Sequence, residues 1–154
     1  MATPRVAAGV LFLDEQGRVF IVRPTYKPHW DIPGGYVEPG ETPSETCRRE
    51  VKEELAIDIT ARRLLVVDWA PSETEGDKLL FVFDGGEVNA SDRATIRLAE
   101  DELHEWSCIE PDRLDDVMIP RLARRLSAAM AARGAGEVAY LEHGLRLAPS
   151  QPAK

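Results

Sequence analysis

The sequence predicts an α/β fold in which helices pack against a mixed β-sheet, and three observations support that prediction. Several short segments alternate apolar and polar residues with the period of two that is typical of strands. Longer segments repeat apolar residues at the spacing of an amphipathic helix. The two kinds of segment are mixed without strict alternation, which favours an α/β or α+β sandwich over a purely parallel sheet.

Apolar periodicity and turn residues predict most elements in chain order. In the first half we expect a strand at 6–12, a turn at 14–17, a returning strand at 18–23, a loop at 24–28, a short strand at 30–37 interrupted by a Gly34-Gly35 bend, and a helix from about 43 to 55. In the second half we expect a strand within 57–69, a strand at 79–83, a short strand at 95–98, a helix at 120–133 stopped by Gly134, and a last strand at 138–141.

The length and composition of the chain limit the classes of function that we expect. The 154 residues fit a single domain, predicted at 1–147, with a disordered tail at 148–154. The net charge of −8 argues against binding a nucleic-acid polymer. No apolar run could cross a bilayer and no signal peptide is evident, so no membrane partner is expected. Cys47 and Cys108 show neither a disulfide framework nor zinc-type spacing, which favours the cytoplasm.

The start of the first predicted helix is marked by several agreeing signals. Thr42 can accept a hydrogen bond as the N-cap, and Pro43 suits the first helical position because its missing N–H is not needed there. Glu45, three residues past the cap, completes a capping box. We therefore expect a well-defined helix from this point.

Three carboxylates share one side of this helix. At about 100° per residue, Glu50, Glu53 and Glu54 fall within an arc of about 100°. Like charges at this spacing cost only about 0.2–0.5 kcal/mol on an exposed helix, so a solvated acidic face is one interpretation. The other is a site for Mg²⁺ or Mn²⁺, which favour oxygen ligands. A neighbouring apolar stripe would face the core: Cys47, Val51 and Leu55.

The residues around this helix resemble the Nudix box. That motif is a Gly, five residues, a Glu, seven residues, then Arg-Glu-aliphatic-any-Glu-Glu-any-Gly-aliphatic. Here Gly35 and Glu41 precede the segment Arg49-Glu50-Val51-Lys52-Glu53-Glu54-Leu55-Ala56-Ile57, and only Ala56 departs from the pattern. Because alanine resists a positive φ, Ala56 predicts that the turn after the helix does not require one. The preceding Trp30-Asp31-Ile32-Pro33-Gly34-Gly35 also resembles the usual lead into this motif.

The resemblance implies a Nudix α/β/α sandwich with a mixed central sheet, and a hydrolase that cleaves the phosphoanhydride bond of a nucleoside diphosphate linked to another group. A nucleoside triphosphate, ADP-ribose, a nucleotide sugar or a dinucleoside polyphosphate would each be a suitable small-molecule substrate. It further implies that Glu50, Glu53 and Glu54 bind Mg²⁺ or Mn²⁺ and are catalytic, and Glu50 is also a candidate base acting through a bound water.

The same resemblance gives supporting roles to neighbouring residues. Gly35 would lend its backbone carbonyl to a metal ion, and Arg49 and Glu41 would orient the carboxylates. Helical spacing lets Arg49 reach Glu45 or Glu53. A plain surface ion pair is the alternative interpretation of Arg49.

Outside the box, an acidic loop offers a further catalytic carboxylate. Glu105 resembles the loop glutamate of MutT-like members, with Glu100 and Glu102 as alternatives, and a solvated acidic loop remains possible for each. His104 is expected to be exposed or structural, and Trp106 to anchor the core.

The sequence signals for substrate-binding residues are less specific than those for the metal site. Arg23, Trp30 and Tyr36 are candidates for substrate binding because basic groups can hold phosphate oxygens and aromatic rings can stack on a base. Core packing or solvent exposure is the alternative for each. Other residues of these types flank the box: Arg5, Tyr26, Lys27, His29 and Trp69.

Two further classes of function are weighed against the hydrolase. A non-catalytic, nucleotide-sensing Nudix-like module would often have lost box carboxylates, whereas this sequence retains all three. An isomerase of the isopentenyl-diphosphate type needs a reactive cysteine, but Cys47 lies on the apolar stripe of the helix. A homodimer is possible by analogy with the family.

Overall fold

The computed structural model describes residues 1–148 and builds one eight-stranded sheet. The strands are β1 (Arg5–Leu13), β2 (Val19–Pro24), β3 (Gly34–Tyr36), β4 (Leu64–Ala70), β5 (Lys78–Glu87), β6 (Leu103–Ile109), β7 (Ala139–Glu142) and β8 (Leu145–Arg146). The helices are α1 (Pro43–Leu55), α2 (Ala90–Ala94), α3 (Leu114–Val117) and α4 (Pro120–Ala135), with a 3₁₀ turn at Pro111–Arg113.

The sheet is mixed, as expected. Its strand order is β6-β2-β1-β5-β4-β7-β8, with β3 paired to β1 outside this path. β1 runs parallel to β5 and β4 runs parallel to β7, whereas the other pairs are antiparallel. β2 pairs with β1 at Leu13, and β3 pairs with β1 at Ala7 to Gly9. The strand that precedes α1 is therefore held at the N-terminal half of β1.

Helix α1 covers one face of the sheet. The predicted apolar stripe is confirmed, because Cys47, Val51 and Leu55 are fully buried. They belong to one core cluster with residues of β1 and β2, namely Ala8, Val10, Phe12, Phe20 and Val22. The predicted capping box is also present: Thr42 accepts from the backbone N–H of Glu45, and the Glu45 side chain accepts from that of Thr42.

Helix α4 covers the opposite face. Leu122, Leu126 and Ala129 are buried at the predicted helical spacing. They pack in a second core cluster with residues of β1, β4 and β7, among them Leu11, Leu65, Val66 and Leu141. Helices thus lie on both sides of the sheet, which confirms the α/β/α sandwich.

The predicted strand at 95–98 is wrong. Asn89 instead begins the short helix α2 with a capping box to Asp92, and the chain beyond Ala94 follows a loop. Two backbone amides of this loop donate to the last carbonyls of α1, Arg97 N to Leu55 O (3.0 Å) and Ala99 N to Glu54 O (3.0 Å). The loop therefore satisfies the end of α1 instead of joining the sheet.

Two predicted turn conformations are also wrong. Ala56 ends α1 in the left-handed region with φ 59°, and its N–H donates to the carbonyl of Lys52 at 3.0 Å. The helix ending requires this backbone geometry even without glycine. Gly134 does not stop α4, which continues to Ala135 and takes its left-handed cap at Gly136.

Smaller differences concern element bounds. Residues 57–63 precede β4 without being part of it, and Gly34 and Gly35 pair with β1 instead of forming a bend. Strand β8 follows a turn at His143-Gly144 that was not predicted. The predicted disordered tail lies outside the described residues except for Ala148. Along residues 1–148 no helix is both long enough and apolar enough to span a membrane.

Candidate active site

The junction of β3 and α1 brings a backbone and a carboxylate into direct contact. A Cβ added to Gly35 would lie 2.3 Å from Oε1 of Glu50 and 2.5 Å from its Cδ. Any larger residue would therefore displace the Glu50 carboxylate. This contact explains why glycine stands at the first position of the box.

Glu50 and Glu54 form a close carboxyl pair on α1. The Glu54 side chain is buried, and its Oε1 accepts from the backbone N–H of Gly34 at 3.4 Å. Burial, together with the adjacent Glu50, raises the pKa of Glu54 to about 9. Burial also raises the pKa of Glu50, although Glu54 and Arg49 oppose that shift. Without a cation the two carboxyls cannot both ionise easily, because like charges at close range disfavour a second ionisation.

Glu53 is more exposed than Glu54. Its side chain is 51% exposed and contacts Nη1 of Arg49 at 3.3 Å. Among residues 1–148 no three acidic, histidine or cysteine side chains are already placed to hold a metal ion. Joint metal binding by all three box glutamates therefore stays a prediction.

Arg49 connects the carboxylates to β3 and to the loop before α1. Its guanidinium binds both oxygens of Glu41, with Nη2 to Oε2 at 3.0 Å. Nη1 donates to Oε1 of Glu50 at 2.9 Å, and Nη2 donates to the carbonyl of Tyr36 at 3.2 Å. Hydrogen bonds from Arg49, and to a smaller extent from the Thr46 hydroxyl, lower the pKa of Glu41 to about 2. These contacts fit the predicted orienting role of Arg49 and Glu41.

Of the two glutamates that spacing placed within reach of Arg49, only Glu53 contacts it among the described residues. The side chain of Glu45 serves the N-cap instead, accepting from the backbone N–H of Thr42 at 2.8 Å. The Glu45 carboxylate therefore takes part in the capping box at the start of the helix and does not bind Arg49.

The acidic loop outside the box lies beside the end of α1. Glu105 is exposed on β6, where its Oε1 lies 3.4 Å from Nη1 of Arg23 on β2. Glu102 is positioned by its backbone, whose carbonyl accepts from Thr25 N at 2.9 Å, and Glu100 is exposed. Which of the three acids assists the reaction stays a prediction.

Two expectations for this segment are confirmed. His104 is exposed. Trp106 stacks on Phe20, with ring centroids 5.4 Å apart and an interplanar angle of 22°, and packs against the core on the α1 side.

The substrate-binding candidates differ in accessibility. Trp30 is partly buried and packs against the core on the α4 side, and its role in substrate binding stays a prediction. Tyr36 is 46% exposed, with Arg5 and Lys78 beside its ring. Lys78 was not singled out from the sequence. The signal that identifies it is its register opposite Arg5 in the parallel pair β1–β5, which periodicity alone does not give.

Cys47 is unsuited to covalent catalysis. Its side chain is fully buried, and burial raises the pKa of its thiol to about 12. A thiol of this kind supplies almost no thiolate near neutral pH. This environment argues against the isomerase.

Comparison with known proteins decides the family. The family model described as NUDIX domain matches residues 3–131. The chain belongs to the Nudix family. This match covers the whole box, the strands β1 to β6 and most of α4, so the assignment does not rest on the motif alone.

Relatives of this Nudix protein carry names for phosphoanhydride hydrolysis. It is 30% identical over 121 residues to a putative 8-oxo-dGTP diphosphatase of Bacillus subtilis (strain 168), covering 78% of this chain and 76% of the relative. It is 29% identical over 134 residues to an RNA pyrophosphohydrolase of Erythrobacter litoralis (strain HTCC2594), covering 75% and 82%. The predicted class of Nudix pyrophosphohydrolase is confirmed.

A solved structure supports the fold of this Nudix protein. The MutT protein from Methanosarcina mazei Go1 superposes with a TM-score of 0.70 at 24% identity, covering 88% of this chain and 98% of that chain. Nudix hydrolases generally use divalent metal ions, which agrees with a paired-carboxylate site.

Proposed function

We propose that the protein hydrolyses a phosphoanhydride bond in a small molecule that contains a nucleoside diphosphate linked to another group, using Mg²⁺ or Mn²⁺. The observation that carries this proposal is the Glu50–Glu54 carboxyl pair, in which Glu50 lies against Gly35 and accepts from Arg49, and Glu54 accepts from the backbone N–H of Gly34. The two relatives are named as a putative 8-oxo-dGTP diphosphatase and an RNA pyrophosphohydrolase, and because both names refer to nucleotides they support a nucleotide-containing substrate.

The donor set fits a hard divalent cation. Glu50 and Glu54 offer carboxylate oxygens, the backbone of Gly35 lies against Glu50, and Glu53 lies two residues before the end of the helix. Oxygen ligands on a rigid element suit Mg²⁺ and Mn²⁺. A cation can replace the proton that the carboxyl pair holds because metal binding deprotonates its ligands.

When bound, the cation offsets charge on the phosphoryl oxygens and lowers the pKa of the attacking water. The protein's own residues position the rest. Glu41 holds the guanidinium of Arg49, and Arg49 in turn holds Glu50 through Nη1. Glu50 thereby keeps one carboxylate oxygen in a fixed place, where it can accept a proton from water.

Residues outside the box complete the proposal. Glu105 is the proposed loop carboxylate, and Arg23, which pairs with it at 3.4 Å, is a proposed contact for substrate phosphate. Tyr36 is a second proposed substrate contact, since it is half exposed directly after Gly35.

We also propose a cytoplasmic location. The single domain at 1–147 and the possible homodimer stay predictions.

A substrate panel with defined metal content tests the function. Nucleoside triphosphates, nucleotide sugars, ADP-ribose and dinucleoside polyphosphates are each incubated with Mg²⁺, Mn²⁺ or EDTA, and the phosphate, pyrophosphate and nucleotide products are measured. We expect metal-dependent cleavage, and a loss of at least about 100-fold in Glu53→Gln or Glu54→Gln, since metal-centred charge stabilisation is worth several kcal/mol.

Glu110→Gln is the matched control, because Glu110 is exposed and its side chain makes no cap hydrogen bond. It should keep wild-type activity. Near-full activity in both box variants would overturn the assignment of the site. Tight nucleotide binding without turnover in the wild type would instead favour a nucleotide sensor.

A further inference from the structure

A depression of about 350 Å³ lies between α4 and the turn that joins β7 to β8. Arg124, Ser127 and Ala128 line one wall, and Gly144 and Arg146 line the other. The three residues of the first wall share one face of α4, because side chains three and four positions apart are neighbours on a helix. We refer to this depression as the α4–turn pocket.

The α4–turn pocket is remote from the carboxyl pair. Helix α1, which carries that pair, packs on one face of the sheet, whereas α4 packs on the opposite face. Strands β5, β4 and β7 separate β1, beside α1, from β8. Four strand spacings correspond to about 19 Å. A small ligand in the pocket is therefore out of reach of Glu50 and Glu54.

The guanidinium of Arg124 is held in place but uses little of its hydrogen-bonding capacity. Its Nη2 donates to the carbonyl of His143 at 2.7 Å, which is the only hydrogen bond of this guanidinium among residues 1–148. Its Nε is buried and has no acceptor among the same residues. A guanidinium carries five N–H donors, and a buried donor without an acceptor destabilises the folded protein. Arg124 is therefore a fixed cation that lacks acceptors.

Gly144 leaves space directly beside this cation. A Cβ added to Gly144 would lie 3.3 Å from Nε of Arg124 and 2.7 Å from the carbonyl oxygen of Arg121. The φ of Gly144 is 74°, in the left-handed region that favours glycine. A side chain at this position would occupy the space over the guanidinium, so glycine keeps the pocket open there.

Positive charge exceeds negative charge in the lining of the pocket. Arg146 is exposed on β8, and within the described part of the chain neither Arg146 nor Arg124 forms an ion pair with a carboxylate. Asp115 contributes the only carboxylate of the lining. Ser127 is exposed and can donate through its hydroxyl. Two guanidinium groups and a hydroxyl form a donor set that suits an oxyanion.

We propose that the α4–turn pocket is a second binding site, separate from the carboxyl pair, for a phosphate-type oxyanion. Arg124 and Arg146 hold phosphate oxygens from opposite walls, and the Ser127 hydroxyl donates to a further oxygen. A ligand held in this way connects α4 to β8, and its preference for the folded chain raises stability. The inference does not depend on the proposed function, since no residue of the box takes part.

The oxyanion can be inorganic phosphate, pyrophosphate or the phosphate of a nucleoside monophosphate. Each is titrated into ¹⁵N-labelled protein at constant ionic strength, with AMP as the monophosphate and chloride as the reference anion, and NMR follows the amide shifts. EDTA is present throughout, so that no divalent cation recruits phosphate to the carboxyl pair. We expect saturable shifts at residues 123–131 and 143–146. Tighter binding of AMP than of phosphate would assign the site to a nucleotide, and the reverse order would assign it to an inorganic anion.

Variants of both walls test the contacts. Arg124→Gln should weaken binding by about 10-fold or more, since hydrogen bonds to charged groups are the stronger kind. Arg146→Gln should weaken binding by about 3-fold, because its side chain is exposed to water. Ser127→Asp adds a second carboxylate to the lining and should abolish binding. Arg48→Gln removes an arginine that is 65% exposed on α1, and this matched control should bind as wild type does.

Thermal unfolding establishes that each variant is folded. Arg146→Gln and Ser127→Asp alter exposed side chains, so they test the pocket even if Arg124→Gln does not fold. Loss of binding in these two variants, with binding retained in Glu54→Gln, would support the inference. Shifts that chloride reproduces, that lie elsewhere in the chain, or that persist unchanged in both variants would overturn it. A wild type that binds phosphate but hydrolyses nothing would contradict the proposed function alone.

Discussion

Arg49 holds together the parts of the site that come from different segments. It contacts the carboxylate of Glu41 before the helix, the carboxylate of Glu50 on the helix, and the carbonyl of Tyr36 on β3. Its side chain is only 23% exposed, so these charged hydrogen bonds are partly shielded from water. Planar guanidinium geometry makes several such contacts possible at once, which lysine could not reproduce.

The Glu41–Arg49 contact predicts a pH dependence of stability. The pKa of Glu41 falls from 4.5 to about 2 in the folded protein because Arg49 and then Thr46 donate to it. As pH falls through this window, the unfolded chain binds a proton on Glu41 before the folded protein does, so the free energy of unfolding decreases. Glu41→Gln should lose less stability between pH 5 and pH 2, measured by urea unfolding across this range.

Glu38→Gln provides the control for that measurement. Glu38 is exposed, and its carboxylate is 3.8 Å from Arg49. The variant should follow the wild-type pH profile. A Glu41→Gln profile that coincides with wild type over the whole acid range would contradict the contact.

At the residue scale, the identities of the box glutamates could be predicted because helical spacing fixes which side chains share a face. How deeply each of these side chains is buried could not be predicted. Glu54 is buried and Glu53 is half exposed because α1 packs beside β3, a contact between segments that periodicity does not reveal. Lys78 was missed for a related reason, since its partnership with Arg5 depends on the register of β1 and β5.

At the element scale, α1 combines a strong start with a strained end. Its capping box, the proline at its first turn and its apolar stripe were all predictable, because each depends on local sequence. The conformation at the C-terminal end of α1 was not predictable, because Ala56 takes φ 59° against the preference of an L-residue. The left-handed conformation costs alanine roughly 1–2 kcal/mol.

Replacing Ala56 with glycine should therefore stabilise the protein. Ala56 is exposed, so no packing is lost. Part of the gain is offset by the greater freedom of glycine in the unfolded chain, and we expect a net increase of about 1 kcal/mol in the free energy of unfolding. Thermal and urea unfolding measure it, and the midpoint should rise by about 2–4 °C for a chain of this size.

Ala131→Gly is the matched control, since Ala131 is an exposed alanine within α4. There the same substitution should destabilise by about 1 kcal/mol, because glycine is a poor helix former. If Ala56→Gly also destabilised the protein, the left-handed geometry at the end of α1 would be refuted.

Elements that depend on partners far along the chain were harder to predict. The segment at 95–98 has a strand-like pattern, yet its Arg97 N and the N–H of the following Ala99 donate to the end of α1. Strand β8 has only two residues and exists because a turn returns the chain along β7. Local pattern cannot report either arrangement, since both depend on tertiary contacts.

At the scale of the whole molecule, one buried carboxylate joins three elements on the α4 side of the sheet. Oδ2 of Asp68 on β4 accepts from Nε of Arg125 on α4 at 2.6 Å. Oδ1 accepts from the backbone N–H of Gly144, in the turn between β7 and β8, at 3.0 Å. The side chains of Asp68 and Arg125 are 0% and 9% exposed, so water screens this ion pair only weakly.

Removing one member of this buried pair should have a large effect on global stability. Asp68→Ala leaves the Arg125 guanidinium buried without its carboxylate, and we expect a loss of about 3–5 kcal/mol in urea unfolding. Asp116→Ala breaks the exposed pair with Arg113 and should cost less than about 1 kcal/mol. Asp68→Asn, which keeps an acceptor for the backbone N–H of Gly144, should lie between them, and this variant stays measurable if the alanine variant does not fold. Losses of similar size in Asp68→Asn and Asp116→Ala would mean that the buried charge pair does not hold α4 and the β7–β8 turn to the sheet.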